Sequence, residues 1–212
     1  MYLSRVIIDK DNRKKIRDLT DLSAYHAWVE ESFPMEIRDH VRSRKLWRID
    51  KLNGKEYLLV VSETKPDYQF MEKYGIVGSA ESRNYDPFLN SLKNGMRCRF
   101  RAVLNPVVSV SQQNARRGRV MPEITVSYQR KYFLERTDKN GFSVLPDDFM
   151  ITERGYENWH KGKDHIRLCK AAYEGTLTVT DADLLRKALT HGIGRKKAYG
   201  FGMMTVIPLS EQ

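Results

Sequence analysis

Thr180-Asp181-Ala182-Asp183-Leu184-Leu185-Arg186-Lys187-Ala188-Leu189-Thr190-His191-Gly192 leads, through a short loop, into Phe201-Gly202-Met203-Met204-Thr205-Val206-Ile207-Pro208. Thr180 and Asp183 stand at the spacing of a capping box, predicting a helix that runs to Thr190. Gly192 supplies the stop after its last turn. Residues 201–208 then read as a closing strand. Between them, Gly192-Ile193-Gly194-Arg195-Lys196-Lys197-Ala198-Tyr199-Gly200-Phe201-Gly202 hangs three consecutive cations on a loop holding four of the chain's 13 glycines. That combination points to a polyanionic partner.

Upstream of that helix, residues 165–179 and 149–154 predict two strands, with Gly155 to Lys163 as a basic connection. Further back, about Pro122 to Arg136 predicts a helix. Met96 to Val110 predicts a strand broken at Asn105-Pro106, followed by a basic loop from Gln112 to Arg119. This half therefore runs strand, helix, paired strands, helix, strand. The first half repeats the order less clearly. Residues 2–8 alternate as a strand, and Asp21 is a good N-cap for a helix to Phe33 that Pro34 terminates. Residues 45–50 and 56–62 form a hairpin across Asn53-Gly54. Residues 65–90, rich in Pro, Gly and Asn, give no resolved pattern. The fold class this implies is α+β: two tandem ferredoxin-like, RRM-like βαββαβ domains, 1–94 and 95–212.

The composition limits the partners. The chain has 212 residues, 41% hydrophobic and 30% charged, with a formal net charge of +10. That describes a folded chain suited to nucleic acid or an anionic surface. No stretch approaches the roughly 18 apolar residues of a membrane span, and the apolar run at the amino terminus is too short for a signal peptide. Cys98 and Cys169 lack metal-ligand spacing, which fits buried thiols in a reducing cytoplasm. No pair of histidines has the i, i+4 spacing of a metal site, so neither a metal nor a cofactor is expected. The glycine loop lacks a Gly-Lys-Ser or Gly-Lys-Thr sequence and follows a helix, which disfavours nucleotide-cofactor binding.

His26 is the first candidate for chemistry. At about 100° per residue, Leu22, Tyr25, Val29 and Phe33 form an apolar stripe with His26 at its edge. Ser23 and Glu30 share that flank. Spacing alone favours a boundary histidine satisfied by Glu30. The remaining histidines carry less: His40 in a charged connection, His160 and His165 around Lys161-Gly162-Lys163, and His191 at a helix end. Further basic clusters are Arg116, Arg117 and Arg119 in one loop, and Arg154, Lys161, Lys163 and Arg167 around the strand pair. With Arg195, Lys196 and Lys197 they suggest one phosphate-tracking surface.

Several segments in order identify a resemblance: Met1-Tyr2-Leu3-Ser4 with Val6-Ile7-Ile8, His26, Leu46-Trp47-Arg48, Phe100-Arg101-Ala102 with Asn105-Pro106, Tyr173-Glu174-Gly175, and the terminal Gly-x-Gly-x-x-Lys-x-x-Gly-x-Gly. The chain resembles the CasE family, the CRISPR RNA endoribonuclease subunit of the type I-E Cascade complex, from Met1 to about Leu209. The resemblance implies metal-independent cleavage of precursor CRISPR RNA at the base of each repeat hairpin. The ribose 2′-hydroxyl attacks the neighbouring phosphate and leaves a 2′,3′-cyclic phosphate and a 5′-hydroxyl. It implies that the protein keeps the mature guide RNA and joins other Cascade subunits, being a monomer when free.

The family's catalytic histidine falls on His26, which reverses the bland reading of that residue. Some members carry a helper tyrosine three residues earlier, where this chain has Ser23. The helper is therefore open among Ser23, Lys197 and an arginine of the second domain. Lys197 matches the family's loop lysine. By position, Arg154 and the turn from Lys161 to Lys163 fit an element entering the RNA major groove, and Arg116, Arg117 and Arg119 fit backbone contact. The competing expectation is a catalytically inactive RNA-hairpin-binding subunit of the same fold, kept open by Ser23 and by Glu30 and Glu31 on the helix.

Overall fold

Asn53 at φ 50° and Gly54 at φ 76° turn the chain between β2 (Leu46–Leu52) and β3 (Lys55–Ser62), as the dipeptide predicted. β1 (Tyr2–Ile7) pairs with β3 on one side and with β4 (Glu81–Asn84) on the other, giving the antiparallel order β2-β3-β1-β4. In this computed structural model, residues 1–111, 118–161 and 164–209 are described. The second sheet is built on β5 (Arg97–Leu104), which lies between β11 (Met204–Pro208) and β10 (Asp164–Val179). β9 (Phe149–Lys161) and the two-residue β8 (Phe142–Ser143) both pair with β10. Counting β1 to β4 in the first half and β5, β9, β10 and β11 in the second, both sheets run 4-1-3-2, the tandem ferredoxin-like plan.

The helices depart from expectation at their ends. α1 (Leu22–Glu31) starts where predicted, because the Asp21 carboxylate accepts from the Ser23 and Ala24 backbone N–H groups at 2.9 and 3.0 Å. It stops at Glu31 rather than Phe33. Pro34 opens the short α2 (Pro34–Arg38) instead of merely ending α1, since a first-turn position needs no N–H. α5 (Val126–Leu134) is shorter than the predicted 122–136, with Thr125 as its cap. α6 (Ala182–His191) is capped by Asp181, not by the Thr180–Asp183 pair. Residues 65–90 contain α3 (Tyr68–Met71), β4 and α4 (Asp86–Ser91).

The largest difference lies at residues 155–161. Expected as a connection, they continue β9 and pair with β10 in register from Glu153↔Ala172 through Lys161↔Asp164. Backbone pairing along β10 holds this polar segment extended although its own composition carries weak strand preference. A small ribbon is added by β6 (Val107–Val110) pairing with β7 (Arg119–Pro122). Among the described residues no helix is long and apolar enough to cross a membrane.

The buried clusters interleave the two sheets. Leu46 and Val61 join the core formed by Phe100, Phe133, Phe142, Tyr173, Leu185 and Leu189. Val103, Trp159, Leu168, Ala172 and Phe201 join Trp28, Val29, Trp47 and Leu58. At this seam Gly200 (φ 78°, ψ 11°) lies flat against Trp47; a Cβ there would sit 2.8 Å from the indole Cζ3. Gly200→Ala is therefore expected to cost about 2–4 kcal/mol, from left-handed backbone and overpacking together. Urea unfolding measures it, with Gly155→Ala, where a Cβ meets open space, as the near-neutral reference.

Candidate active site

α1 is fixed to the body of the protein by the face opposite its solvent side. Leu22, Trp28 and Val29 are buried, and the Trp28 indole N–H donates to the Met71 carbonyl at 3.1 Å. Tyr25 stacks on Trp47 with ring centroids 5.8 Å apart. Burial lifts the Tyr25 hydroxyl first, with Glu56 and Glu157 adding to it, to a pKa of about 12. Tyr25 is thus a packed phenol on a different flank, as its helical position suggested. His26 follows it at the helix edge, with 18% of its side chain exposed.

The imidazole has a charged neighbourhood. Arg42 Nη2 lies 3.0 Å from His26 Nε2, and Glu30 Oε1 lies 3.9 Å from Nδ1. A guanidinium only donates, so this geometry assigns the lone pair to Nε2 and the proton to Nδ1. Burial lowers the His26 pKa first, Glu30 pulls it up, and Arg42 and Lys45 push it down; the balance lies below 6.5. Burial and the two cations thus favour the neutral ring. The boundary-histidine reading was right about Glu30 as a neighbour and incomplete about the rest.

Behind His26 lies a buried ion-pair network. Lys45, 2% exposed, donates to Glu36 at 2.8 Å and stands 3.5 Å from Glu30. Burial opposes ionisation of Glu36, but hydrogen bonds from Lys45, Thr64 and Ser43 overcome it and hold the carboxyl at about 2. Ser43 reaches Glu36 through both its N–H, at 3.1 Å, and its hydroxyl, at 2.8 Å. The segment carrying Arg42 is therefore anchored one residue away. Arg42, Lys45 and Glu36 were not singled out from sequence; the three cations in Arg42-Ser43-Arg44-Lys45, just before β2, were the available signal.

The glycine-lysine loop crosses to this site from the second sheet. Its 3-10 turn, Lys197–Tyr199, packs against α1 and β2, and the Tyr199 ring lies 5.2 Å from the His26 ring. Tyr199 also meets Trp159 at 4.7 Å, and Lys196 Nζ lies 3.5 Å from the Trp159 ring centre. Lys197 is half-buried; burial lowers its pKa and Arg44 lowers it further. Arg195 faces away, toward a recess lined with Tyr128, Lys131, Tyr132 and Arg136. The three consecutive cations thus divide between two surfaces, with Lys196 and Lys197 on the His26 side.

The remaining sequence candidates are spread out. Ser23 lies in the first turn of α1, its N–H held by Asp21. Arg154 donates to the Gln129 side chain at 2.9 Å and to the Ile124 carbonyl at 2.7 Å, tying β9 to the start of α5. Arg167 lies over the Tyr156 ring on the exposed face of the β9–β10 hairpin. Arg119 is exposed at the start of β7. Lys161 ends β9, while Arg116, Arg117 and Lys163 lie outside the described residues. Among the described residues, no three His, Cys, Asp or Glu side chains converge as a metal site requires.

Comparison with known proteins bears on this arrangement. A family described as CRISPR associated protein matches residues 1–208. The CRISPR-associated endoribonuclease Cse3 of Thermus thermophilus is 26% identical over 221 residues, spanning 98% of this chain and 100% of Cse3. A structure of Cse3 bound to a 19-nucleotide RNA superposes with a TM-score of 0.82 at 23% identity, covering 98% of this chain and 100% of that one. A chain of a CRISPR RNA-guided surveillance complex gives 0.67 at 20% identity, with 99% and 100% covered. At such identities these structures establish the fold.

The site's electrostatics set a measurable value. His26 is expected to titrate below 6.5 in the folded protein, so its neutral form favours folding and that contribution is lost as pH falls through its lowered pKa. Glu30→Gln removes the one neighbour that raises the value and is expected to lower it further. NMR titration of the imidazole reads both, and an upward shift in the Glu30 variant would contradict this account.

Proposed function

Because the chain belongs to the CRISPR-associated protein family, we propose that it is a metal-independent endoribonuclease that cuts precursor CRISPR RNA at the base of the repeat hairpin. The observation that carries this reading is a half-buried imidazole, its Nε2 beside the Arg42 guanidinium, where a cationic loop of the second sheet meets a helix of the first. Cleavage by the neighbouring ribose needs a proton acceptor, an aligned phosphate and positive charge, and no other cofactor. His26 Nε2 is the acceptor for the 2′-hydroxyl proton. The 2′-oxygen then attacks phosphorus, the bond to the 5′-oxygen breaks, and a 2′,3′-cyclic phosphate and a 5′-hydroxyl result. Lys197, whose lowered pKa eases proton donation, serves the leaving oxygen or the phosphate charge.

The RNA lies across residues 95–212, the second of two modules divided after residue 94. Arg119, Arg167, Lys196 and Lys197, with Arg116, Arg117, Lys161 and Lys163, contact its backbone, while Arg195 holds RNA outside the cutting site. A-form RNA offers mainly phosphates and shape to such a surface. Cse3 has been seen bound to RNA, and a similar chain belongs to an RNA-guided surveillance complex. This chain correspondingly keeps its product and joins other Cascade subunits in the cytoplasm. The inactive-subunit reading draws on Ser23 in the first turn of α1, where some relatives use a tyrosine.

The test is cleavage of the cognate repeat hairpin in EDTA. Wild-type protein is expected to cut, and His26→Ala to slow the reaction by at least about 100-fold while still binding. Absence of wild-type cleavage would leave the inactive subunit as the better reading. Affinity is also expected to fall steeply with salt, as it does when several phosphates are neutralised; a flat response would count against the shared basic surface.

A further inference from the structure

His26 Nε2, the atom that has to take the 2′-hydroxyl proton, already has a partner in the free protein. Arg42 Nη2 occupies its lone pair at 3.0 Å. The contact is built from one end only. Ser43 and Lys45 fasten the segment to Glu36, yet the Arg42 side chain itself is 69% exposed. Its anionic neighbour, Glu30 Oε2, stands 3.6 Å from Arg42 Nε, beyond good hydrogen-bond reach. The guanidinium is thus delivered to the imidazole on an anchored stem with an exposed tip. Two other arginines at the seam are committed elsewhere: Arg48 to Asp50 and Thr205, Arg101 to Asp50, Glu153 and Glu174.

We infer that Arg42 is a catalytic residue: it caps His26 Nε2 in the free protein and transfers to the scissile phosphate when RNA binds. The inference rests on the endoribonuclease reading above. A guanidinium bound to a neutral imidazole has one charge-assisted bond. On a phosphate the same group gains a two-pronged fit to a full opposite charge, closer than the 3.6 Å at which it meets the Glu30 carboxylate. Substrate therefore competes successfully for Arg42 and uncovers the base in the same movement. Arg42 transfers no proton. It donates N–H bonds to the non-bridging oxygens while the 2′-oxygen–phosphorus bond forms, Nε2 holds the 2′ proton, and the departing 5′-oxygen takes a proton from Lys197 or water. Negative charge grows on those oxygens in the transition state, where a fixed cation has the largest effect.

This role separates from a structural one in single-turnover cleavage with full-length protein and repeat hairpin in EDTA. Arg42→Ala is expected to cut about 100-fold more slowly at saturating protein, with hairpin affinity changed only a few-fold. Arg42→Lys should recover part of the rate, and millimolar guanidinium should restore the Ala variant in a concentration-dependent way. Arg38→Ala, an exposed arginine paired with Asp39, should cut like wild type. A wild-type rate for Arg42→Ala, or a slow rate that guanidinium leaves unchanged, overturns the assignment while leaving the endoribonuclease intact. Failure of the wild-type protein to cut removes the enzyme reading itself, and Arg42's role with it.

Discussion

Arg48 is a charged side chain with 2% of its surface exposed, set between two sheets whose contact includes the apolar clusters that interleave them. Its guanidinium makes a two-pronged pair with Asp50, at 2.7 and 2.6 Å, and reaches across to the Arg101 carbonyl at 2.9 Å and the Thr205 hydroxyl at 2.9 Å. Burying such a group is tolerable only when every donor finds an acceptor in good geometry. Those acceptors belong to β2 on one side and to β5 and β11 on the other. The sheets are consequently held in one relative position. Arg101 extends the same constraint through Asp50, Glu153 and Glu174 to β9 and β10.

The site inherits its shape from that seam. His26 comes from the first sheet's helix, while Tyr199, Lys196 and Lys197 arrive on the loop before β11. Next to Arg48, Trp47 donates its indole N–H to the Ala198 carbonyl at 2.9 Å, fixing the loop where it passes α1. A small rotation between the sheets would separate the imidazole from the cationic loop. Local charge follows a different logic from the overall excess of +10. Glu30 and Glu36 lie within the cationic surroundings of His26, where they hold Lys45 and orient the segment bearing Arg42. Of the two acidic residues on the helix that kept the inactive-subunit expectation open, Glu30 lies beside Arg42 and Lys45, while Glu31 pairs with Lys73 at the surface.

Much of the fold was legible because its signals are local. Asn53-Gly54 needs only its own backbone to specify a turn, and Asp21 needs only the next three residues to cap α1. Asp181 took the cap expected of Thr180 because its carboxylate reaches the Asp183 and Leu184 N–H groups. Residues 155–161 were misread because a polar, glycine-bearing segment becomes a strand only when a partner supplies its hydrogen bonds. β4, Glu81-Ser82-Arg83-Asn84, was equally silent: it has no apolar alternation, and its pairing with β1 makes it a strand. Within the site, His26 and Lys197 were visible through their motifs. Arg42 was not, since it meets His26 from 16 residues away across an irregular segment.

The amino-acid sequence by itself determined the Asn53-Gly54 turn, the Asp21 cap, many of the strand positions, and the placing of His26 on the edge of a helix. These depend on neighbours within a few residues. Tertiary structure alone decided that the imidazole is half-buried, that Arg42 occupies its lone pair, and that the loop brings Tyr199 against it, with Lys196 over Trp159, while Arg195 faces another recess. Desolvation and charge act through distances in space, and the packing of two sheets around Arg48 sets those distances.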